Sequence, residues 1–299
     1  MSENLLAFIF PAFASDYSDH TGQGLPGFED QFVTVLKRAS AAVDPELARF
    51  SFHGTTFLEH ELRTQYLSYL YSCAAAKTLR FSGYRPDFIA GYSMGIYAAL
   101  FDAGALSFEA GLELIRIAYE SLSSAIAGRK SGMGSLIGLD RNDLEKLIAE
   151  AKLQVEITNQ NAEFSFVVSG EHSDLKALLD LAITEGALNT RNLNVSIPYH
   201  SKLLESAASE FESQITKIPI HTPETVLVST IDQALLTTRE SIRFELSRNL
   251  YCPLNWFKTM QFMLDLNVSR FIECGPSKGL VKNSRFIEGD FNFSPLNKI

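Results

Sequence analysis

The chain has 299 residues, 46% of them hydrophobic, and a formal charge of −9 at neutral pH. That length and apolar content suit one large domain carrying a smaller inserted one, and an acidic balance with no basic stripe among aromatics excludes a nucleic-acid binder. Cys73, Cys252 and Cys274 are odd in number and widely spaced, which predicts reduced core thiols in a cytoplasmic protein rather than a disulfide framework or a metal site.

Leu5 to Phe10 is an apolar run followed by Pro11 and Ala12-Phe13-Ala14, and it imitates an export signal. Export signals start with basic residues, whereas the early charge here is Glu3 and Pro11 breaks the run. The run therefore predicts a buried first strand ending at Pro11. No stretch is long and apolar enough to span a bilayer. From Phe28 to Val43, Phe32, Val35, Leu36, Ala39 and Val43 share one helical face, which predicts a surface helix. Phe50 to Thr56 is loop-like, and a long helix follows from Arg63 to about Ser82, stopped by Gly83.

The stretch from Pro86 to Leu100 organises the rest. An apolar strand-like run enters Gly91-Tyr92-Ser93-Met94-Gly95 and leaves as an Ala-rich helix. A tight strand-to-helix turn has little room for β-carbons, so glycines flanking a serine mark a nucleophile elbow that pushes the Ser93 hydroxyl outward. The helix that begins there aims its free N–H groups at any negative charge developing beside Ser93. Helical spacing resumes after Gly104, with Leu112, Ile115 and Tyr119 on one face.

At Ser131-Gly132-Met133-Gly134 the elements shorten. The expected order is a strand from Ser135 to Gly138, a helix from Arg141 to Ala151, strands from Val155 to Thr158 and Phe164 to Ser169, a helix from His172 to Thr184, and a strand from Leu193 to Ile197. This βαββαβ string is the ferredoxin-like split motif. The predicted fold class is α/β: an α/β-hydrolase-like large domain with a parallel sheet, residues 1–130 and 198–299, and an inserted ferredoxin-like small domain, residues 131–197. Where the insertion returns, Pro198-Tyr199-His200 places a histidine just past a strand end, where a base must sit to face a serine on a neighbouring strand. His20, His53, His60, His172 and His221 have no such context.

These residues resemble the malonyl-CoA:acyl carrier protein transacylases and the acyltransferase domains of fatty acid and polyketide synthases. Phe10-Pro11 stands at the family's Phe-Pro-Gly-Gln-Gly loop, Thr64-Gln65 at a Thr-Gln pair, and Gly91-Tyr92-Ser93-Met94-Gly95 at Gly-His-Ser-Leu-Gly. Gly132-Met133 with Ile137-Gly138-Leu139 matches the start of the small domain, and Pro198-Tyr199-His200 matches Pro-x-His. Asn249 to Trp256 and Glu273-Cys274-Gly275-Pro276 match Asn-Pro-Val-x-Trp and Glu-x-Gly-Pro.

The resemblance implies a nucleophile, Ser93, a base, His200, and a base-orienting main-chain carbonyl at Asn249. It implies an oxyanion hole from the backbone N–H groups of Phe13 and Met94, and an acyl pocket from Tyr92, Ala118, Gln65 and Phe13. It implies no metal and no resident cofactor, because the phosphopantetheine arm is carried by the partner acyl carrier protein. Malonyl-selective members hold the free carboxylate with an arginine at the position of Ala118, and Arg116, about 200° round the helix, points elsewhere. The expected substrates are therefore uncharged acyl thioesters of carrier protein or coenzyme A, as in the arginine-less trans-acting acyl hydrolases of polyketide assembly lines. Hydrolysis stands slightly ahead of transfer, and an ordinary malonyl transacylase is the alternative. Lys202, Lys278 and Lys282 are candidate contacts for an acidic carrier protein. Outside the family, an α/β-hydrolase would use His221 as base and His53-Gly54 as oxyanion loop, and a non-catalytic scaffold would have no need of Ser93.

Overall fold

A computed structural model describes residues 4–14, 17–53, 60–193 and 195–299. Gly54, Thr55, Thr56 and position 194, which the sequence reading assigned to a loop and a strand, lie outside these residues. The chain opens with β1 (Leu5–Phe10), whose last five residues are buried on both faces, as a parallel strand inside a sheet requires. Helix α1 (Phe28–Ala42) buries Phe28, Phe32, Val35 and Ala39 on one face.

Helix α2 (Glu61–Phe81) is buried without a break from Thr64 to Ala76, so it lies inside the fold rather than on it. Its polar side chains are satisfied there: Ser68 Oγ accepts from the Ala14 amide at 3.0 Å, and Tyr69 donates to the Phe108 carbonyl at 3.0 Å. His20 belongs to this core. It stacks on Phe52 at 4.0 Å, and its Nδ1 lies 3.0 Å from the Tyr71 hydroxyl.

Strand β2 (Phe88–Gly91) leads directly to α3 (Gly95–Asp102), and α4 (Phe108–Ala125) packs beyond it. The smaller sheet is then built from β3 (Ser131–Ile137), α5 (Arg141–Glu150), β4 (Val155–Ala162), β5 (Ser165–Glu171), α6 (His172–Thr184) and β6 (Asn189–Leu193). The chain returns through α7 (Glu205–Ile215), β7 (Val226–Val228), β8 (Leu235–Leu236), α8 (Arg239–Arg248), β9 (Leu254–Asn255), α9 (Trp256–Asp265), β10 (Val268–Glu273), α10 (Gly279–Ser284) and β11 (Asn292–Pro295).

The larger sheet has the order β11-β10-β1-β2-β7-β8 and the smaller β6-β3-β5-β4-β9. Both are mixed. In the larger, β8 runs antiparallel to β7, so the expected purely parallel sheet ends in a short hairpin at one edge. In the smaller, the β3, β4, β5 and β6 pairings are antiparallel, but β9 adds in parallel to β4 and ties the returning chain to this sheet. Two strand positions differ from the sequence reading. β3 begins at Ser131, because Gly132 and Gly134 pack against His172 and Leu179, where a β-carbon would crowd them. The last strand ends at Leu193 instead of starting there, because β6 is registered by pairing with β3 from Ile137 to Met133.

Candidate active site

Strand β2 and helix α3 meet at Ser93, whose φ of 56° lies in the left-handed region that non-glycine residues rarely occupy. The turn is closed on both sides: a β-carbon on Gly91 would collide with the Ile96 backbone, and one on Gly95 with the Phe10 carbonyl. The amide of Tyr92 donates to the Phe10 carbonyl at 2.8 Å and that of Ile96 to the Ser93 carbonyl at 3.1 Å, which fixes the elbow against β1.

His200 also has a positive φ, 62°, and its amide donates to the Leu250 carbonyl at 3.1 Å. Its ring is 2% exposed, and Nε2 lies 2.7 Å from Ser93 Oγ, a hydrogen bond in which the serine donates when the ring proton is on Nδ1. Nδ1 is buried without a partner of ordinary hydrogen-bond geometry, while the backbones of Asn249 and Cys252 lie near enough to favour the protonated ring. Burial outweighs them and pushes the His200 pKa down to about 4, leaving a neutral imidazole at pH 7.

Ser93 and His200 line one cavity of about 250 Å³. Phe13, Tyr92 and Tyr199 form its aromatic side, and Met133, Val167 and Leu193, from the smaller sheet, form its apolar roof. Tyr92 is held rigidly, donating to Asn161 Oδ1 at 2.7 Å, accepting from Asn159 Nδ2 at 2.9 Å, and meeting Trp256 edge-on. Among the described residues, no hydrogen bond is given by the backbone N–H of Phe13 or Met94, the two groups named for the oxyanion.

Of the four residues expected in the acyl pocket, Phe13 and Tyr92 line the cavity and the other two do not. Gln65 stands one layer behind, its Nε2 donating to the Tyr199 hydroxyl at 2.7 Å, and that hydroxyl in turn donates to Glu61. Ala118 is 4% exposed within the main core and does not line the cavity. Arg116 turns to solvent, paired with Glu113 and Glu120 at 2.6 Å each. His221 is exposed, with its amide on the Ala105 carbonyl, and takes no part in the cavity, so the base of the α/β-hydrolase alternative is not at Ser93. Cys73 and Cys274 are buried, as expected for core thiols, but Cys252 is partly exposed beside the histidine loop.

Sequence reasoning missed Arg191, Asn159 and Asn161. Arg191 and Leu193 alternate onto the cavity face of β6, a period-2 signal that starting the strand at Leu193 concealed. Lys278 and Lys282 line a separate groove of about 490 Å³ with Arg285 and Lys298, while Lys202 is exposed elsewhere.

The model of the acyl transferase domain family matches residues 67–281. The chain is 29% identical over 291 residues to the malonyl CoA-acyl carrier protein transacylase of Bacillus subtilis (strain 168), covering 93% of this chain and 89% of that one. It is 27% identical to the transacylase of the same name from Staphylococcus aureus (strain MRSA252), covering 92% of this chain and 91% of that one. Its fold superposes on the malonyl CoA-acyl carrier protein transacylase of Coxiella burnetii with a TM-score of 0.87 at 28% identity, over 98% of this chain and 94% of that one. A malonyl-transacylase solved in complex with a type II PKS acyl-carrier protein superposes at 0.84 with 25% identity, over 98% and 96%. With most of its length matched in sequence and nearly all of it in fold, the chain belongs to the acyl transferase domain family.

Proposed function

We propose that the protein transfers an acyl group from a coenzyme A thioester to the thiol of an acyl carrier protein through an ester on Ser93. The observation that carries this reading is the 2.7 Å Ser93–His200 hydrogen bond inside an apolar cavity. Ser93 Oγ attacks the thioester carbonyl while His200 Nε2 takes its proton. The oxyanion is held by the N–H groups of Phe13 and Met94 and by the N-terminal end of α3. Collapse expels the thiolate, which recovers the proton from His200. The carrier thiol then gives its proton to His200, attacks the ester carbonyl and returns Ser93 to its free form. The backbone of Asn249 orients the ring, and the smaller sheet, read as a ferredoxin-like insertion, excludes water so that transfer prevails over hydrolysis.

Malonyl is the acyl group named for the relatives, and it is the first substrate to test. Uncharged acyl groups are the second reading, favoured by Ala118, which carries no charge, and by Arg116, whose guanidinium is taken up by Glu113 and Glu120. The experiment is intact mass spectrometry of the enzyme and of holo-carrier protein after incubation with malonyl-, acetyl- or butyryl-CoA. The proposal expects an acyl adduct on Ser93 followed by acyl-carrier protein. No adduct from any thioester would refute it, and adducts that end only as free acid would return the reading to a hydrolase.

A further inference from the structure

Glu245 is a buried charge that the acyl-transfer mechanism does not use. It is 2% exposed on the inner face of α8, beside the apolar side chains of Ile242 and Leu246. Burying a carboxylate is costly unless a cation or hydrogen-bond donors meet it. Among the described residues Glu245 forms no ion pair, and Arg248, three residues further on, is taken by Asp232 at 2.6 Å. Donors meet it instead, from the turn after β7. Ser229 Oγ donates toward both carboxylate oxygens, at 2.8 and 2.9 Å, and the Thr230 backbone donates as well. The direction of the Ser229 bond is fixed, because Ser229 Oγ already accepts from the amides of Ile231 at 3.1 Å and Asp232 at 3.3 Å, so its own proton goes to Glu245.

That contact joins the two segments that hold the reacting pair. On one side, the hydroxyl of Thr230 reaches the carbonyl of Gly91 in the elbow at 3.4 Å, two residues before Ser93. On the other, the Glu245 carbonyl accepts from the Asn249 amide at 2.8 Å where α8 ends, and the next carbonyl along, Leu250, accepts from the His200 amide at 3.1 Å. The backbones of Asn249 and Cys252 lie against the His200 ring. One buried side chain therefore ties the turn that touches the nucleophile elbow to the turn that seats the base.

We propose that Glu245 is a positioning residue for the Ser93–His200 pair, and that its charge state sets how firmly the turn after β7 holds the end of α8, the nucleophile being more reactive when the carboxylate is ionised. The ionised form is an acceptor only and matches the donors of Ser229 and Thr230, whereas protonation places an O–H among donors. Burial pushes the Glu245 pKa up to about 7 against the pull of those donors, so the switch falls near neutral pH. Asp232, on the turn, pushes in the same direction as burial, and Arg248, on α8, opposes it. From α7, Glu212 accepts the Ser247 hydroxyl, and α9 meets the turn through the uncharged Thr259. The role rests on the acyltransferase reading only for Ser93 as the nucleophile.

The test follows the rate of Ser93 modification across neutral pH, at fixed ionic strength, with diisopropyl fluorophosphate and separately with saturating malonyl-CoA and acetyl-CoA. Wild type should show a step of about three- to tenfold between two plateaus, centred near pH 7 with the higher plateau on the alkaline side, as a sub-ångström shift of a reacting pair would produce. The limb from His200 lies near pH 4 and has no lower plateau, so the two are separable. Glu245→Gln, which keeps the shape without the charge, should remove the step and hold the rate near the lower plateau at every pH. Ser229→Ala takes a donor from the charged form and should move the midpoint upward. A flat wild-type profile, or a step that survives Glu245→Gln, would overturn the proposal. A Glu245→Gln protein that melts earlier yet keeps the wild-type profile would make Glu245 a structural residue and overturn it too. Should Glu245→Gln fail to fold, the wild-type profile and the shift in Ser229→Ala decide. A step with the fluorophosphate alongside no acylation by any thioester would sink the acyltransferase reading and support the role of Glu245.

Discussion

Ser93 Oγ and His200 Nε2 stand 2.7 Å apart although 107 positions separate them in the chain, and both sit on turns with positive φ. The two strained turns face each other across the carboxyl ends of the larger sheet, so the pair is set by backbone rather than by mobile side chains. Ser93→Ala should abolish acyl-enzyme formation with every thioester while leaving the melting temperature within a few degrees of wild type. His200→Ala should lower the acylation rate by about 10² to 10⁴. Stopped-flow release of thiol reads both, and an undiminished rate in Ser93→Ala would end the covalent mechanism.

The pH dependence follows from the burial of His200. With its pKa pushed down to about 4, the base stays neutral through the acidic range. The acid limb of the acylation profile should therefore fall near pH 4 and not near 6.5. Stability moves in a related way. Between about pH 6.5 and 4 the unfolded chain binds a proton on this histidine that the folded chain refuses, so its contribution is complete above 6.5 and is lost as pH falls through that window. A His200→Gln variant should lose less stability than wild type between those two pH values in urea titrations.

Helix α4 carries the prediction on acyl choice. Ala118→Arg would put a guanidinium where malonyl-selective relatives hold the acyl carboxylate and should raise the malonyl-to-acetyl acylation ratio by about one to two powers of ten, the worth of a charge-assisted pair of roughly 1.5 to 3 kcal/mol. Arg116→Ala should leave the ratio unchanged, since its guanidinium is occupied by Glu113 and Glu120 at the surface. A wild-type preference for malonyl that disappears in Arg116→Ala would show that this arginine reaches the acyl group after all.

Docking of the carrier protein is expected at the groove holding Lys278, Lys282, Arg285 and Lys298. It is lined by α10 and β11, and β11 pairs in parallel with β10, which like β2 pairs in parallel with β1, so the carboxyl ends of these strands and Ser93 lie at the same end of the sheet. Reversing the charge at Lys278, Lys282 and Arg285 should raise KM for acyl-carrier protein several-fold and leave acyl-pantetheine unaffected. Lys202, exposed away from this groove, should matter less, and equal effects on both substrates would refute the assignment.

The elbow itself is sterically closed. Gly95→Ala drives a methyl into the Phe10 carbonyl, so it should displace β1 from α3 and cost several kcal/mol of stability together with activity. Circular dichroism melts of Gly95→Ala beside Ala98→Gly, a neighbouring change on the same helix, separate steric closure from lost helix propensity.

The sequence by itself determined the parts whose physics is local. The glycines around Ser93 announce a turn without room for β-carbons, the unbroken apolar run of β1 announces a strand covered on both faces, and the spacing of Phe28, Phe32, Val35 and Ala39 announces a one-sided helix. His200 was legible because a base must stand at a neighbouring strand end, and Arg116 because helical rotation is fixed at each step. Tertiary structure alone decided which residues meet across the cleft. Arg191 enters the cavity through the register of β6 on β3, a pairing that apolar pattern did not specify in a strand whose residues are largely exposed. Gln65 fell behind the cavity because Tyr199, bonded to Gln65 and Glu61, lines the cavity in its place. Contacts of this kind depend on side chains brought together from distant segments, and no local pattern in the chain records them.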